Sequence, residues 1–278
     1  MWIELDEELA RHFSGDTAFD ELMACEGEKF RHVKTRRTLK FERGGKNYFI
    51  KIHRAIGWRE VWKNWLGFKR PVTSARMEWM AIDRLQALGV PTLNVVGRGI
   101  RGKAPAHEES FVVTEALEGM ISLEQLTQNW GSLPPSQRLA LKRELIRQVA
   151  TIARTIHRNG LNHRDFYLCH FLVKDRDWNE WQPADSLMLH VIDLHRMQHR
   201  PAVPERWWVK DVAGVLFSAL DCDLTRNDLL RFSKIYWDGS VRELLGERQG
   251  VLQKIYRKAC KLYASIHDRE APDPVAKS

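Results

Sequence analysis

The sequence predicts an α+β chain of two lobes, strand-rich in front and helical behind. Three observations predict it. Runs with strand composition fall before residue 117, helix-period patterns dominate after 120, and Gly119 marks the change. The expected division is an N-terminal lobe at 1–117, a C-terminal lobe at 118–268 and a flexible tail at 269–278.

The strands begin with 29–33 (KFRHV), 38–42 (TLKFE) and 47–52 (NYFIKI). Gly44-Gly45 between the last two is a two-residue hairpin turn. A helix follows over 74–88 and stops at Gly89, with Pro91 beyond it. Segment 111–117 (FVVTEAL) is a further strand. In the second lobe Leu145, Val149, Ile152 and Ile156 recur at helical spacing over 136–159, which Gly160 closes. A short strand near 187–193 precedes helices over 207–220, 225–236 and 250–267.

A chain of 278 residues can bury roughly 75% of its unfolded surface. Its 44% hydrophobic and 29% charged residues are those of a globular protein. The opening MWIELDEELA is acidic and lacks a basic start before an apolar run, so no signal peptide is expected. Apolar stretches such as VAGVLFSAL (212–220) fall short of the ~18–20 residues that span a bilayer. Cys25, Cys169, Cys222 and Cys260 form no CxxC pair, which argues against zinc or disulfide frameworks and for the reducing cytoplasm. The net charge of +8 favours an anionic partner. No recognised motif supports nucleic acid as that partner.

Four polar residues stand in a fixed order. Lys51 lies inside an apolar strand, Glu78 on the next helix, Asp165 in the loop after the long helix, and Asp193 at the end of a later strand. Each alone is common. In sequence they match the parts of phosphoryl transfer in the protein-kinase-like fold. There a strand lysine meets ATP phosphates and a helix glutamate holds it. A loop aspartate accepts the proton of the attacking hydroxyl, and a second aspartate holds Mg²⁺. The transferring group is strongly anionic, so positioning and charge stabilisation supply most of the catalysis. Glu115 and Leu117, at the end of the 111–117 strand, are further candidates for nucleotide contact.

The stretches RRTLKFERGGKNYFIKIH (36–53), GLNHRDFYLCHFLV (160–173) and VIDLHRMQHR (191–200) resemble the lipopolysaccharide core heptose kinase family. The resemblance covers roughly 1–268. It implies an ATP- and Mg²⁺-dependent kinase of heptose I, acting on a lipid A-core saccharide at the cytoplasmic face of the inner membrane. It also implies the roles just given for Lys51, Glu78, Asp165 and Asp193. A kinase for an octulosonic acid or aminoglycoside is the nearest alternative. A catalytically inactive module that docks on membrane or an acidic protein is a more distant one, and an acidic acyl-carrying protein is a candidate partner.

Two positions depart from the protein-kinase pattern. The turn near Lys34-Thr35-Arg36-Arg37 has no glycine, so Lys34, Arg36 and Arg37 are candidate side-chain donors to phosphate, the alternative being a solvated basic hairpin. The pattern HRDxxxxN expects asparagine at 170 and finds His170. Mg²⁺ prefers oxygen, while imidazole nitrogen suits softer metals. His170 therefore stands as a metal ligand, a hydrogen-bond partner of phosphate or Asp165, or a brace of the loop. Cys169 reads as small core filling, and His163 and Arg164 as loop-bracing.

No Ser, Thr or Tyr lies between Asp193 and Glu205, so activity without phosphorylation is expected. His195, Arg196, His199 and Arg200 are then candidates to face an anionic sugar. Asp211 reads first as a surface aspartate, with bracing of the catalytic loop as the alternative. Trp58, Trp62 and Trp65 fall on one helical stripe flanked by Arg59, Lys63 and Arg70, which suits either an anionic membrane surface or a packed core.

Overall fold

The computed structural model describes residues 1–33, 36–55, 74–104 and 106–276. The Lys34 assignment and the Trp58, Trp62 and Trp65 stripe lie outside those residues. The α+β class expected from sequence is observed. The chain divides into two compact units, one of residues 1–86, 92–118 and 194–196, the other of 87–91, 119–193 and 197–278.

In the first unit the elements are β1 (Trp2–Leu5), α1 (Glu7–Ala10), α2 (Ala18–Met23), β2 (Glu28–Val33), β3 (Arg36–Arg43), β4 (Lys46–His53), α3 (Arg76–Ala87), β5 (Val95–Arg101) and β6 (Glu109–Glu115). The six strands form one sheet in the order β1-β5-β6-β4-β3-β2. All neighbours are antiparallel. Gly44 and Gly45 turn β3 into β4 with φ of 59° and 78°, a conformation that costs a glycine little.

Side chains alternate across each strand, so the sheet has two distinct faces. On one, Leu39, Phe41, Tyr48, Ile50 and Ile52 bury themselves against Leu9, Phe19 and Leu22. On the other, Val112 packs with Ala75 and Trp79 of the α3 region. Ser110 Oγ accepts a hydrogen bond from the Ala75 amide at 3.0 Å and so fixes where α3 begins. Lys51 is paired in register with Val112 and therefore shares the α3 face.

In the second unit β7 (Met120–Ser122) leads into α4 (Leu123–Asn129) and the long α5 (Pro135–Arg158). After it come β8 (Leu161–Asn162), β9 (Phe171–Lys174), β10 (His190–Val191), β11 (Gln198–His199), α6 (Glu205–Ala219), α7 (Arg226–Trp237), α8 (Val241–Gly246) and α9 (Gln249–His267). Two small sheets, β10-β9-β7 and β11-β8, flank the 163–170 loop. Gly160 carries φ 74°, and a Cβ there would lie 1.8 Å from the Arg200 carbonyl, so the turn from α5 into β8 has room for glycine alone. Beyond α9, Tyr256 donates to Asp273 at 3.1 Å and Pro274 is buried.

Candidate active site

In the first unit, Lys51 Nζ lies 2.5 Å from Glu78 Oε1. β4 supplies the lysine and α3 the glutamate. The Glu78 side chain is 2% exposed and that of Lys51 24%. Glu78 Oε2 is also buried and has no hydrogen-bond partner among the described residues. The pair is therefore asymmetric: the carboxylate depends on the lysine more than the lysine on it. Removing the cation alone strands a buried anion. Lys51→Met is expected to destabilise the protein by about 2 kcal/mol, discounted from the buried-pair range because Lys51 is partly solvated. Glu78→Gln should cost less. Urea titration of both variants checks the order, and a larger loss in Glu78→Gln would refute it.

The basic pair on β3 splits. Arg36 is opposite His53 in register, two residues from Lys51, and so lies on the same face as Lys51. Arg37 is opposite Ile52 and lies on the other face, where its Nη2 donates to the Met23 carbonyl at 3.0 Å at the end of α2. The candidacy of Arg37 as a phosphate donor beside Lys51 is corrected, because strand alternation turns its guanidinium to the opposite face of the sheet. Glu115 ends β6 and accepts from Asn94 Nδ2 at 2.6 Å. Leu117 is half-buried just beyond it. His195 and Arg196 lie in a single turn, Leu194–Arg196, of this unit.

In the second unit, the loop that carries Asp165 is held from several sides. The Asp211 carboxylate, 1% exposed, accepts from the His163 amide at 2.6 Å and the Arg164 amide at 2.8 Å. Its Oδ2 also meets His157 Nε2 at 3.3 Å, and His157 Nδ1 meets the Tyr236 hydroxyl at 2.8 Å. Asp211 is thus the brace and not a surface residue. Arg164 adopts φ 78°, which a non-glycine residue holds only when its surroundings fix it. The two amide bonds to Asp211 provide that fixing.

His163 is fully buried. Its Nε2 donates to the Ile192 carbonyl at 3.0 Å, and its Nδ1 accepts from the Asp165 amide at 3.3 Å. Burial holds this imidazole below its ordinary pKa, which suits the neutral ring that the two bonds require. One ring therefore ties the Asp165 backbone to the residue before Asp193. Asp193 turns away from the strand with φ 60°, a conformation that aspartate tolerates better than most residues.

His170 Nδ1 donates to the Asp165 carbonyl at 2.7 Å. This leaves Nε2 facing Asp193, whose Oδ2 is 3.6 Å away. The ring both braces the loop and faces the candidate metal ligand. Among the described residues no group of three or more His, Cys, Asp or Glu could hold a metal ion. The Asp193 carboxylate offers the oxygen that Mg²⁺ prefers, while the His170 nitrogen is a softer donor, so waters and phosphate oxygens would have to fill most of the coordination positions.

Phe166 and Phe171 lie 4.8 Å apart between ring centroids, and both are buried. They anchor the loop as the mixed composition of HRDFYLCHF requires. Burial pushes the Cys169 thiol up to about 11, so it is no nucleophile. Arg200 donates to Asn162 at 2.8 Å and Gln198 at 2.6 Å, clamping β8 to β11. Its guanidinium, with those of Arg164 and Arg206, surrounds the Trp207 ring at 5.2–5.5 Å. His199 is exposed on β11. Sequence reasoning missed Trp207 and also Lys210, whose Nζ donates to the Arg164 carbonyl.

A profile of the lipopolysaccharide kinase (Kdo/WaaP) family matches residues 20–236. The chain is 46% identical to the lipopolysaccharide core heptose(I) kinase WaaP of Pseudomonas aeruginosa, over 95% of this chain and 96% of that one. It is 43% identical to the protein of the same name from Escherichia coli, over 92% and 95%. A solved structure of WaaP in complex with acyl carrier protein superposes with a TM-score of 0.79 at 42% identity, covering 95% of this chain and all of that one.

Proposed function

The chain belongs to the lipopolysaccharide kinase (Kdo/WaaP) family, and on that premise we propose that it transfers the γ-phosphate of ATP to heptose I of the lipopolysaccharide core. It is a phosphotransferase, and the curated relatives it matches carry the heptose(I) name. That shared name favours heptose over an octulosonic acid or an aminoglycoside. The observation that carries the mechanism is the His163 bridge, which sets Asp165 and Asp193 on one scaffold.

In this reading Asp165 accepts the proton of the heptose hydroxyl. Lys51, aligned by Glu78, holds ATP phosphate oxygens, and Arg36, Glu115 and Leu117 line the nucleotide. Asp193 and His170 would hold Mg²⁺, which supplies charge neutralisation on the phosphates. Arg200, His195 and Arg196 are the candidate basic contacts for the anionic saccharide.

The test is transfer of labelled γ-phosphate from ATP to dephosphorylated core saccharides, with the modified sugar located by mass spectrometry. Label on an octulosonic acid residue, or on no saccharide, would reject the heptose assignment. His170→Ala is expected to raise the Mg²⁺ needed for half-maximal rate by about 10-fold or more, the usual cost of a lost metal-site contact. An unchanged Mg²⁺ requirement would leave His170 as a brace only.

Two partners complete the proposal. The solved relative bound to acyl carrier protein, with the net charge of +8, supports an acidic carrier protein as partner. An apolar cavity of about 340 Å³ in the second unit, lined by Leu145, Val149, Leu216, Phe232 and Ile255, has the chemistry that an acyl chain needs. Native mass spectrometry of the purified protein checks this, and only the mass of the lone chain would speak against it. No helix among the described residues is long and apolar enough to cross a membrane. Peripheral contact with an anionic inner-membrane surface, from the cytoplasmic side, rests on the positive charge and the Trp58–Trp65 stretch. Co-sedimentation with anionic vesicles tests it, and equal recovery with neutral vesicles would count against it.

A further inference from the structure

We propose that Lys210 is a positioning residue for phosphoryl transfer and acts through Asp165. The inference rests on the reading of Asp165 as proton acceptor. Lys210 and Asp211 are consecutive on α6, and both reach the same loop. Asp211 takes the amide of Arg164, while Lys210 donates to the carbonyl of that residue. The left-handed residue is thus gripped on both sides of its Cα. The Lys210 ammonium also stands 3.9 Å from Asp165 Oδ1, with side chains 29% and 15% exposed.

A carbonyl bond alone would be served by any donor. A full positive charge beside a carboxylate does something further. It fixes the direction of that carboxylate. As the acceptor oxygen bonds to the γ-phosphorus, the P–O bond to ADP breaks and the hydroxyl proton passes to Asp165. Lys210 keeps the carboxylate aimed until then. In HRDFYLCHF no lysine follows the aspartate within the loop, so this cation comes from the helix behind it.

The experiment measures single-turnover transfer and ATP KM for Lys210→Gln and Lys210→Arg, each in wild-type and Asp165→Asn backgrounds. Glutamine keeps a hydrogen-bond donor, one bond shorter than lysine, but carries no charge. Lys210→Gln is expected to slow transfer about 10–100-fold with ATP KM within about threefold, because misplaced reacting groups cost rate rather than ground-state binding. Lys210→Arg should recover most of that loss. On the Asp165→Asn background the Gln substitution should change the rate by less than about threefold, since two residues that act as a unit are not additive.

Equal losses in both backgrounds would overturn the proposal. So would an Arg variant no better than Gln with a melting temperature equally lowered. If Lys210→Gln fails to fold, Lys210→Met against Lys210→Arg carries the same comparison. If Asp165→Asn alone keeps the wild-type rate, the proton-acceptor reading itself has failed. If Asp165→Asn is slow and Lys210→Gln is not, only the role of Lys210 has failed.

Discussion

Asp165→Asn should lower kcat by about 10²–10⁴ while nucleotide binding survives within a few-fold, the range expected for loss of a general base. The structure makes this variant a clean one. The Asp165 amide bonds to His163 and its carbonyl to His170, so its backbone is held without the carboxylate. Asparagine has the same shape and leaves both bonds in place. What changes is the ability to take a proton, together with the negative charge that faces Lys210. Rates with a defined saccharide acceptor, alongside calorimetric nucleotide binding, check the prediction. Full kcat in the variant would remove Asp165 from the mechanism, and lost nucleotide binding would mean that the residue does more than accept a proton.

Much of this site was legible in the sequence because its parts are local. The Gly44-Gly45 hairpin brings β3 to β4 and sets the face of Lys51. The apolar letters of HRDFYLCHF predicted an anchored loop, and Phe166, Leu168 and Phe171 are buried. β5 was not legible. Gly97 and Gly99 break the strand pattern of VVGRGIR, and a Cβ at Gly99 would lie 2.5 Å from the Phe111 ring. Those glycines make room for a neighbour across the sheet, which no local pattern records. Arg37 could have been separated from Arg36 by strand alternation alone, but only once the register had fixed which face was which. Lys210 was missed, and Asp211 read first as a surface aspartate with bracing only as the alternative, for a further reason. Two charges in the middle of WWVKDVAGV look solvated, and their partners lie 46 to 48 residues earlier in the chain. Helical periodicity cannot foresee a polar loop that returns to cover a helix.

That hidden residue carries the second large effect. Asp211→Ala should cost about 2–5 kcal/mol of stability, because it leaves the buried amide of His163 and the part-buried amide of Arg164 without an acceptor. The His157–Tyr236 arm also loses its end point. The activity loss should exceed what unfolding explains. Arg164 holds φ 78° against its own preference. Without its restraint the loop can relax toward an ordinary conformation, and Asp165 moves with it. A displacement of about 1 Å is enough to cost on the order of 100-fold in rate. Asp211→Asn keeps one acceptor oxygen, so it should fall between wild type and alanine in stability. Urea titration gives the stability of each variant. Turnover measured at a temperature where the alanine variant is still folded separates loss of geometry from loss of fold. Wild-type stability in Asp211→Ala would mean that the two amides find another partner. Wild-type turnover in the folded fraction would mean that the catalytic loop keeps its shape without the brace.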